Sequence, residues 1–285
     1  MMVGCVPEAE RKTVSPWPPV DRERLSIPVT PAPEPDDFLE RDPALWPPAE
    51  CATLDNTTRS WYYRPTGAGQ VPSIPSEVAA IVEDHGVLWR IPTDERVVYL
   101  TFDQGYEAGY TSRILDILRD KDVPAAFFLT GAYVRDAPAL VRRIAEEGHL
   151  VGNHTQTHPS LPEMASDHDA VAEEYRAVER AYRELTGRSM ALLERPPRGE
   201  YSERTLCMVS GLGYTSVMWS FAHRDWLVDD QPPVDVTFDR IVKGTHPGAI
   251  LLLHSVSESN TRALSGVIDE LRARGYRFGS LEEVR

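Results

Sequence analysis

The sequence predicts an α/β fold, a single distorted (β/α)7-type barrel behind a proline-rich N-terminal extension. Three observations lead there. From about residue 96 to the C-terminus, apolar runs of strand length alternate with stretches of helical period. The connections between them are too short to house separate domains, and a parallel sheet with its helices on one side closes most simply as a barrel. Eleven of the 24 prolines lie in residues 1–50, so the first fifth of the chain differs in kind from the rest.

Residues 6–50 alternate proline with acidic side chains, as in Pro31-Ala32-Pro33-Glu34-Pro35-Asp36-Asp37. That composition favours extended polyproline II and excludes helix, so residues 1–50 read as a tether on which Trp17 and Trp46 offer docking points. Residues 51–95 form a transitional segment expected to pack on the barrel, with Trp61-Tyr62-Tyr63 and a helix over 76–83 opened by Ser76 after Pro75. The domain proper, 96–285, starts with a buried strand at 97–102. Helix 111–119 places Ile114, Leu115, Ile117 and Leu118 at helical spacing, and Pro124 then introduces strand 125–130. Helix 137–147 is closed by Gly148, a short strand follows at 150–151, and the charged helix 166–185 ends before Gly187. Strand 192–193, helix 202–212, strand 215–219, helix 236–242, strand 249–253, helix 261–274 and strand 276–278 complete seven strands.

Composition narrows the function classes. Thirty basic against 44 acidic side chains give a net charge of −14, which opposes the counterion-release binding of nucleic acid and disfavours anionic lipid. No apolar run approaches the roughly 18 residues of a transmembrane helix. The N-terminus, MMVGCVPEAE, lacks the basic start and apolar stretch of a secretory signal, whereas Gly4-Cys5 resembles the tail of a bacterial lipoprotein processing site, which would make Cys5 a lipid anchor. Cys5, Cys51 and Cys207 are an odd set without metal-type spacing, so no disulfide framework is expected.

Each polar cluster falls just past a strand. Thr101-Phe102-Asp103-Gln104-Gly105 puts a carboxylate after a buried run, where an aspartate serves as helix cap or as catalyst. His154 and His158, four residues apart, would share one side of a helical turn at a spacing a metal ion accepts. Arg195-Pro196-Pro197-Arg198-Gly199 uses two prolines to stiffen the backbone, either aiming the Arg195 guanidinium and the Arg198 amide or forming a rigid surface loop. Asp225-Trp226 and Leu252-Leu253-His254 close two later strands.

In this order and at these intervals, the five elements resemble the polysaccharide deacetylase family, carbohydrate esterase family 4, over roughly residues 96–284. Ser60-Trp61-Tyr62-Tyr63, Gly105-Tyr106-Glu107-Ala108-Gly109-Tyr110-Thr111 and the Arg195–Gly199 segment are similar to its delta-lactam-biosynthetic N-acetylmuramic acid deacetylases. The resemblance implies Asp103 as catalytic base and His254 as general acid. It implies Arg195 holding the base, Asp225 tuning the histidine, and the backbone amide of Arg198 at the oxyanion. Trp226 and Leu252 would wall the sugar pocket. Apart from the resemblance, a muramic carboxylate needs a local cation in a chain of net charge −14, and the Arg198 side chain is the candidate, the alternative being that it covers the loop or points to solvent. The resemblance further implies a divalent metal cation, zinc by expectation, on His154, His158 and Gln104. A neutral Gln104 where the family usually carries an aspartate removes one negative charge and should weaken that site. The implied reaction is metal-assisted removal of N-acetyl groups from peptidoglycan glycan strands, in an extracytoplasmic, cell-wall location. N-acetylglucosamine deacetylation, in peptidoglycan or chitin, and a non-catalytic glycan-binding protein on the same fold are the competing readings.

Overall fold

A computed structural model describes residues 47–284. The expectations for the tether up to residue 46, including Cys5, Trp17 and Trp46, lie outside the described residues. In chain order the elements are β1 (Arg59–Ser60), α1 (Ser76–Asp84), β2 (Val97–Gln104), α2 (Thr111–Asp120), β3 (Ala125–Leu129), α3 (Gly131–Asp136) and α4 (Pro138–Glu146). They continue with β4 (Leu150–Asn153), α5 (Leu161–Met164), α6 (His168–Thr186), β5 (Leu193–Glu194), β6 (Glu200–Tyr201) and α7 (Glu203–Gly211). The last are β7 (Thr215–Ser216), α8 (Val234–Gly244), β8 (Ala249–His254), α9 (Glu258–Ala273) and β9 (Arg277–Phe278).

The seven strands expected from the sequence form one parallel sheet in the order β7-β5-β4-β3-β2-β8, with β9 on the first two residues of β2. The sheet curls into a distorted barrel. Its two edges approach through irregular backbone: past β7, Phe221 bridges Leu251 of β8, while Leu88 bridges Val217 and Arg90 bridges Ala249.

Strand periodicity sorts the two faces. Val98, Leu100 and Phe102 of β2 pack with Ile114, Leu115 and Leu118 of α2 in the layer between sheet and helices. Val97 and Tyr99 turn the other way, into an inner cluster with Phe128 and Ile250. Asp103 therefore belongs to the inner column, on the side enclosed by the barrel, and Gln104 to the outer one.

Helix ends follow their caps. Asp167 opens α6 by accepting from the Ala170 amide, and Gly187 closes it in the left-handed region at φ 69°. The helix expected at 137–147 is α4, and a second, unexpected short helix, α3, stands directly before it. Thr130 caps α3, and Pro138, which has no N–H to continue that helix, restarts the chain as α4. The short α5 carried too few apolar positions to announce itself.

One expectation fails outright: Cys51 and Cys207 form a disulfide, with Cα atoms 5.5 Å apart across a sequence separation of 156. The spacing rules that excluded a framework concern local motifs, whereas this pair is made by folding the 49–53 turn against α7. Further along, Trp61 is buried, β1 pairs with β6, and the Trp61 amide donates to Gly199 O at 2.8 Å, tying this segment to the loop that carries Arg198.

Candidate active site

The register of β2 and β8 pairs Asp103 with His254, so an acid and a base candidate 151 residues apart stand side by side at the strand ends. Arg195 follows β5 and is completely buried. Its Nη1 donates to Asp103 Oδ1 at 2.7 Å, Nη2 to Thr101 Oγ1 at 2.9 Å, and Nε to Val217 O at 2.8 Å. The guanidinium also lies over the Phe128 ring, 4.3 Å from its centroid. A planar fork suits meeting three acceptors, two on β2 and one just past β7, at once. Burial by itself pushes the Asp103 carboxyl up. The charge and hydrogen bond of Arg195, with the charge of His254, outweigh it and hold the group below the usual carboxylate range, so Asp103 is ionised at neutral pH.

Asp225 is wholly buried. Its Oδ1 accepts from His254 Nδ1 at 2.7 Å and its Oδ2 from the His254 amide at 2.9 Å. The first bond places the imidazole proton on Nδ1 and leaves Nε2 for the cavity. Burial pulls the His254 pKa down, but the hydrogen bond and charge of Asp225 raise it above the ordinary histidine value. The two shifts move in opposite directions, so Asp103 is suited to accept a proton and His254 is favoured in the form that can give one.

His154 and His158 also meet, although not on a helical turn. They sit on the loop after β4, where Thr155 (φ 66°) and His158 (φ 59°) both adopt left-handed backbone. Such residues cost on the order of 1–2 kcal/mol each and persist where neighbours over-determine them. Here Asn153 Oδ1 accepts from the Thr155 amide, Thr155 Oγ1 accepts from the His158 amide, and Glu174 of α6 accepts from the amides of Gln156 and Thr157. The two rings stand edge to face with centroids 4.8 Å apart. His154 Nδ1 donates to Arg195 O at 2.8 Å, so its Nε2 carries the lone pair, 3.6 Å from Asp103 Oδ2. Burial lowers both histidines, His158 to about 4, with His154 adding to the depression, so both are neutral at pH 7. Two neutral imidazoles suit a borderline divalent cation.

The structure does not bring Gln104 to them. On the outer face of β2, its Nε2 donates to Ser255 Oγ at 2.7 Å, its Oε1 has no hydrogen-bond partner, and it does not line the cavity. The period of two that points Asp103 inward points its neighbour outward. Among the described residues no three His, Cys, Asp or Glu side chains converge as a metal cage.

Asp103, His154, His158 and His254 line one cavity of about 660 Å³, together with Leu252, Trp226 and Arg198. Trp226, 49% exposed, meets His254 edge-on at 5.8 Å, and Tyr106, 54% exposed, stands on the β2–α2 loop. Arg198 occupies left-handed backbone (φ 60°) in the Pro197–Gly199 turn, and its Nη2 donates to His158 O at 3.5 Å. Sequence reasoning missed Tyr106 and Trp219 of the lining, as well as His223 and Asn260, which surround Asp225. His223 stands two residues before Asp225, and that spacing was its only signal.

The chain matches the family model for polysaccharide deacetylases over residues 90–217. It is 36% identical over 236 residues to the peptidoglycan-N-acetylmuramic acid deacetylase PdaA of Bacillus subtilis, which takes in 83% of this chain and 89% of that protein. A chitooligosaccharide deacetylase of Rhizobium leguminosarum bv. trifolii is 36% identical over 206 residues, 67% of this chain and 93% of its own length. The solved structure of B. subtilis PdaA, a family 4 carbohydrate esterase, superposes with a TM-score of 0.79 at 37% identity, over 81% of this chain and 98% of that one.

Proposed function

This chain belongs to the polysaccharide deacetylase family, the family 4 carbohydrate esterases, and we propose that it hydrolyses the N-acetyl group of N-acetylmuramic acid in peptidoglycan glycan strands. The observation that carries this reading is the facing pair in one cavity: Asp103 bound to the Arg195 guanidinium, and His254 hydrogen-bonded through Nδ1 to Asp225, which raises its pKa.

The Asp103 carboxylate takes a proton from water as the water oxygen attacks the acetyl carbon. The carbonyl oxygen gains charge as the carbon becomes tetrahedral, and the Arg198 backbone N–H faces it. The C–N bond then breaks while His254 delivers its Nε2 proton to the departing nitrogen, leaving acetate and a free amino sugar. Trp226 and Leu252 wall the sugar. His154 and His158 are the residues that would hold a divalent cation, taken here as zinc, which when bound would polarise the acetyl carbonyl and lower the pKa of water.

Two observations favour muramic acid over glucosamine. The likeness to the muramic acid deacetylase reaches across 83% of this chain, against 67% for the chitooligosaccharide enzyme. Arg198 also places a cation at the cavity of a protein whose net charge is −14, where the lactyl carboxylate of muramic acid needs one. Peptidoglycan places the enzyme outside the cytoplasm, and the Cys51–Cys207 disulfide suits that oxidising compartment.

The test is mass spectrometry of peptidoglycan strands, with and without peptide side chains, after incubation with the protein, with and without a chelator. Acetyl loss from muramic residues, abolished by chelation and restored by zinc, is the expected result. Acetyl loss from glucosamine residues alone would transfer the activity to that sugar, and binding without acetyl loss would leave a glycan-binding protein.

A further inference from the structure

Asp225 is held by more than His254. Asn260, at the first turn of α9, donates from Nδ2 to Asp225 Oδ2, the oxygen that also accepts from the His254 amide. A carboxylate only accepts, so this contact fixes the direction of the Asn260 amide and turns its Oδ1 outward. There it meets His223 Nε2 at 2.9 Å. An amide oxygen also only accepts, so His223 must carry its proton on Nε2. Its Nδ1, buried and without a hydrogen-bond partner, is then a bare lone pair. Asn260 and the His223 side chain are both nearly inaccessible to solvent. The backbone holds Asn260 as well, because the Ser257 hydroxyl that caps α9 accepts from its amide at 3.0 Å.

We propose that His223 and Asn260 are positioning residues for the general acid, a hydrogen-bonded chain His223–Asn260–Asp225 that keeps the carboxylate aimed at His254 Nδ1. The logic is a lock on one amide. Were Asn260 to flip, its Oδ1 would face the Asp225 carboxylate and its NH₂ would face the His223 N–H, two repulsive contacts in place of two bonds. Without the His223 donor, the flip is opposed only from the Nδ2 side, by Asp225 and by a long 3.4 Å contact to His254 O, and Asp225 gains freedom to leave His254. Burial depresses the His223 pKa, which agrees with the neutral form this arrangement requires.

The kinetic part of the test rests on the deacetylase reading, while the spectroscopic part does not. His223→Phe removes the donor, His223→Gln restores one, and Asn260→Ala removes the middle link. On N-acetylated peptidoglycan strands, His223→Phe is expected to lower kcat about ten-fold, the scale of about 1.4 kcal/mol in a barrier, with KM within two-fold of wild type. His223→Gln should recover most of the loss, and the His223→Phe/Asn260→Ala double variant should be no slower than Asn260→Ala alone, because the two act through one chain.

In proton NMR of the full chain, the downfield Nδ1–H resonance of His254 should weaken or move in His223→Phe and return in His223→Gln. An unmoved resonance in folded His223→Phe overturns the proposal, as does a Gln variant no better than Phe, or a loss confined to KM. If His223→Phe does not fold, the same resonance in Asn260→Ala decides. An inactive wild type with the resonance behaving as described would overturn the proposed function and leave the chain standing.

Discussion

Replacing both Cys51 and Cys207 with alanine should lower the thermal midpoint by about 5–15 °C and leave turnover unchanged below it. The bond closes a loop with a sequence separation of 156, for which chain-entropy arguments give up to about 5 kcal/mol, and native bonds of this kind more often contribute about 2–4 kcal/mol. For a folded domain of this size, each kcal/mol moves the midpoint by roughly 2–4 °C. Alanine is chosen because Cys51 packs in an apolar cluster with Leu161, Tyr175 and Met208, where a serine hydroxyl would add a desolvation penalty of its own. Neither sulfur lines the catalytic cavity, so kcat at 25 °C should stay within about two-fold. Circular dichroism melts of the oxidised protein, the reduced protein and the double variant make the measurement. The last two should coincide below the first. Coincidence of all three melts, or two free thiols in protein never exposed to reductant, would refute the reasoning.

Asp103→Asn should fold normally and lose about 10²–10⁴ in kcat, because an amide cannot take a proton from water at neutral pH; acetate release measures it. His254 must be protonated to act, so activity is lost as pH rises through its pKa. Asp225→Asn removes the bond and charge that hold that pKa up against burial, and the falling limb of the kcat–pH profile should move to lower pH. Arg198→Tyr keeps the backbone N–H but not the cation. It should reduce turnover of peptide-free N-acetylmuramic acid about ten-fold, a charge-assisted contact of about 1.5–3 kcal/mol, while sparing N-acetylglucosamine oligomers. Equal losses on the two sugars would assign Arg198 to loop structure.

The alternation of strands and helices from residue 97 onward was legible because each element's period and caps are local properties, and so was the order of the polar clusters at the strand ends. Those clusters needed no tertiary information to be placed at one mouth, since the C-terminal ends of parallel strands share it. What folding decided were the relations between distant residues. The register that sets Asp103 beside His254 comes from how β2 and β8 slide past one another, and no window of sequence contains both. The Cys51–Cys207 bond joins a turn to a helix 156 positions away, and reasoning from cysteine spacing could not reach it. His154 and His158 meet through two left-handed residues pinned by Asn153 and Glu174, where their spacing alone suggested a helix. Gln104 shows the opposite case. Its outward direction was implicit in the period of the strand, but its family position spoke for the metal, and only the barrel's curvature showed which face encloses the cavity. His223 and Asn260 left almost no trace in the sequence. A polar residue buried beside a carboxylate is identified by what it touches, and hydrogen-bond partners are chosen by the packed structure.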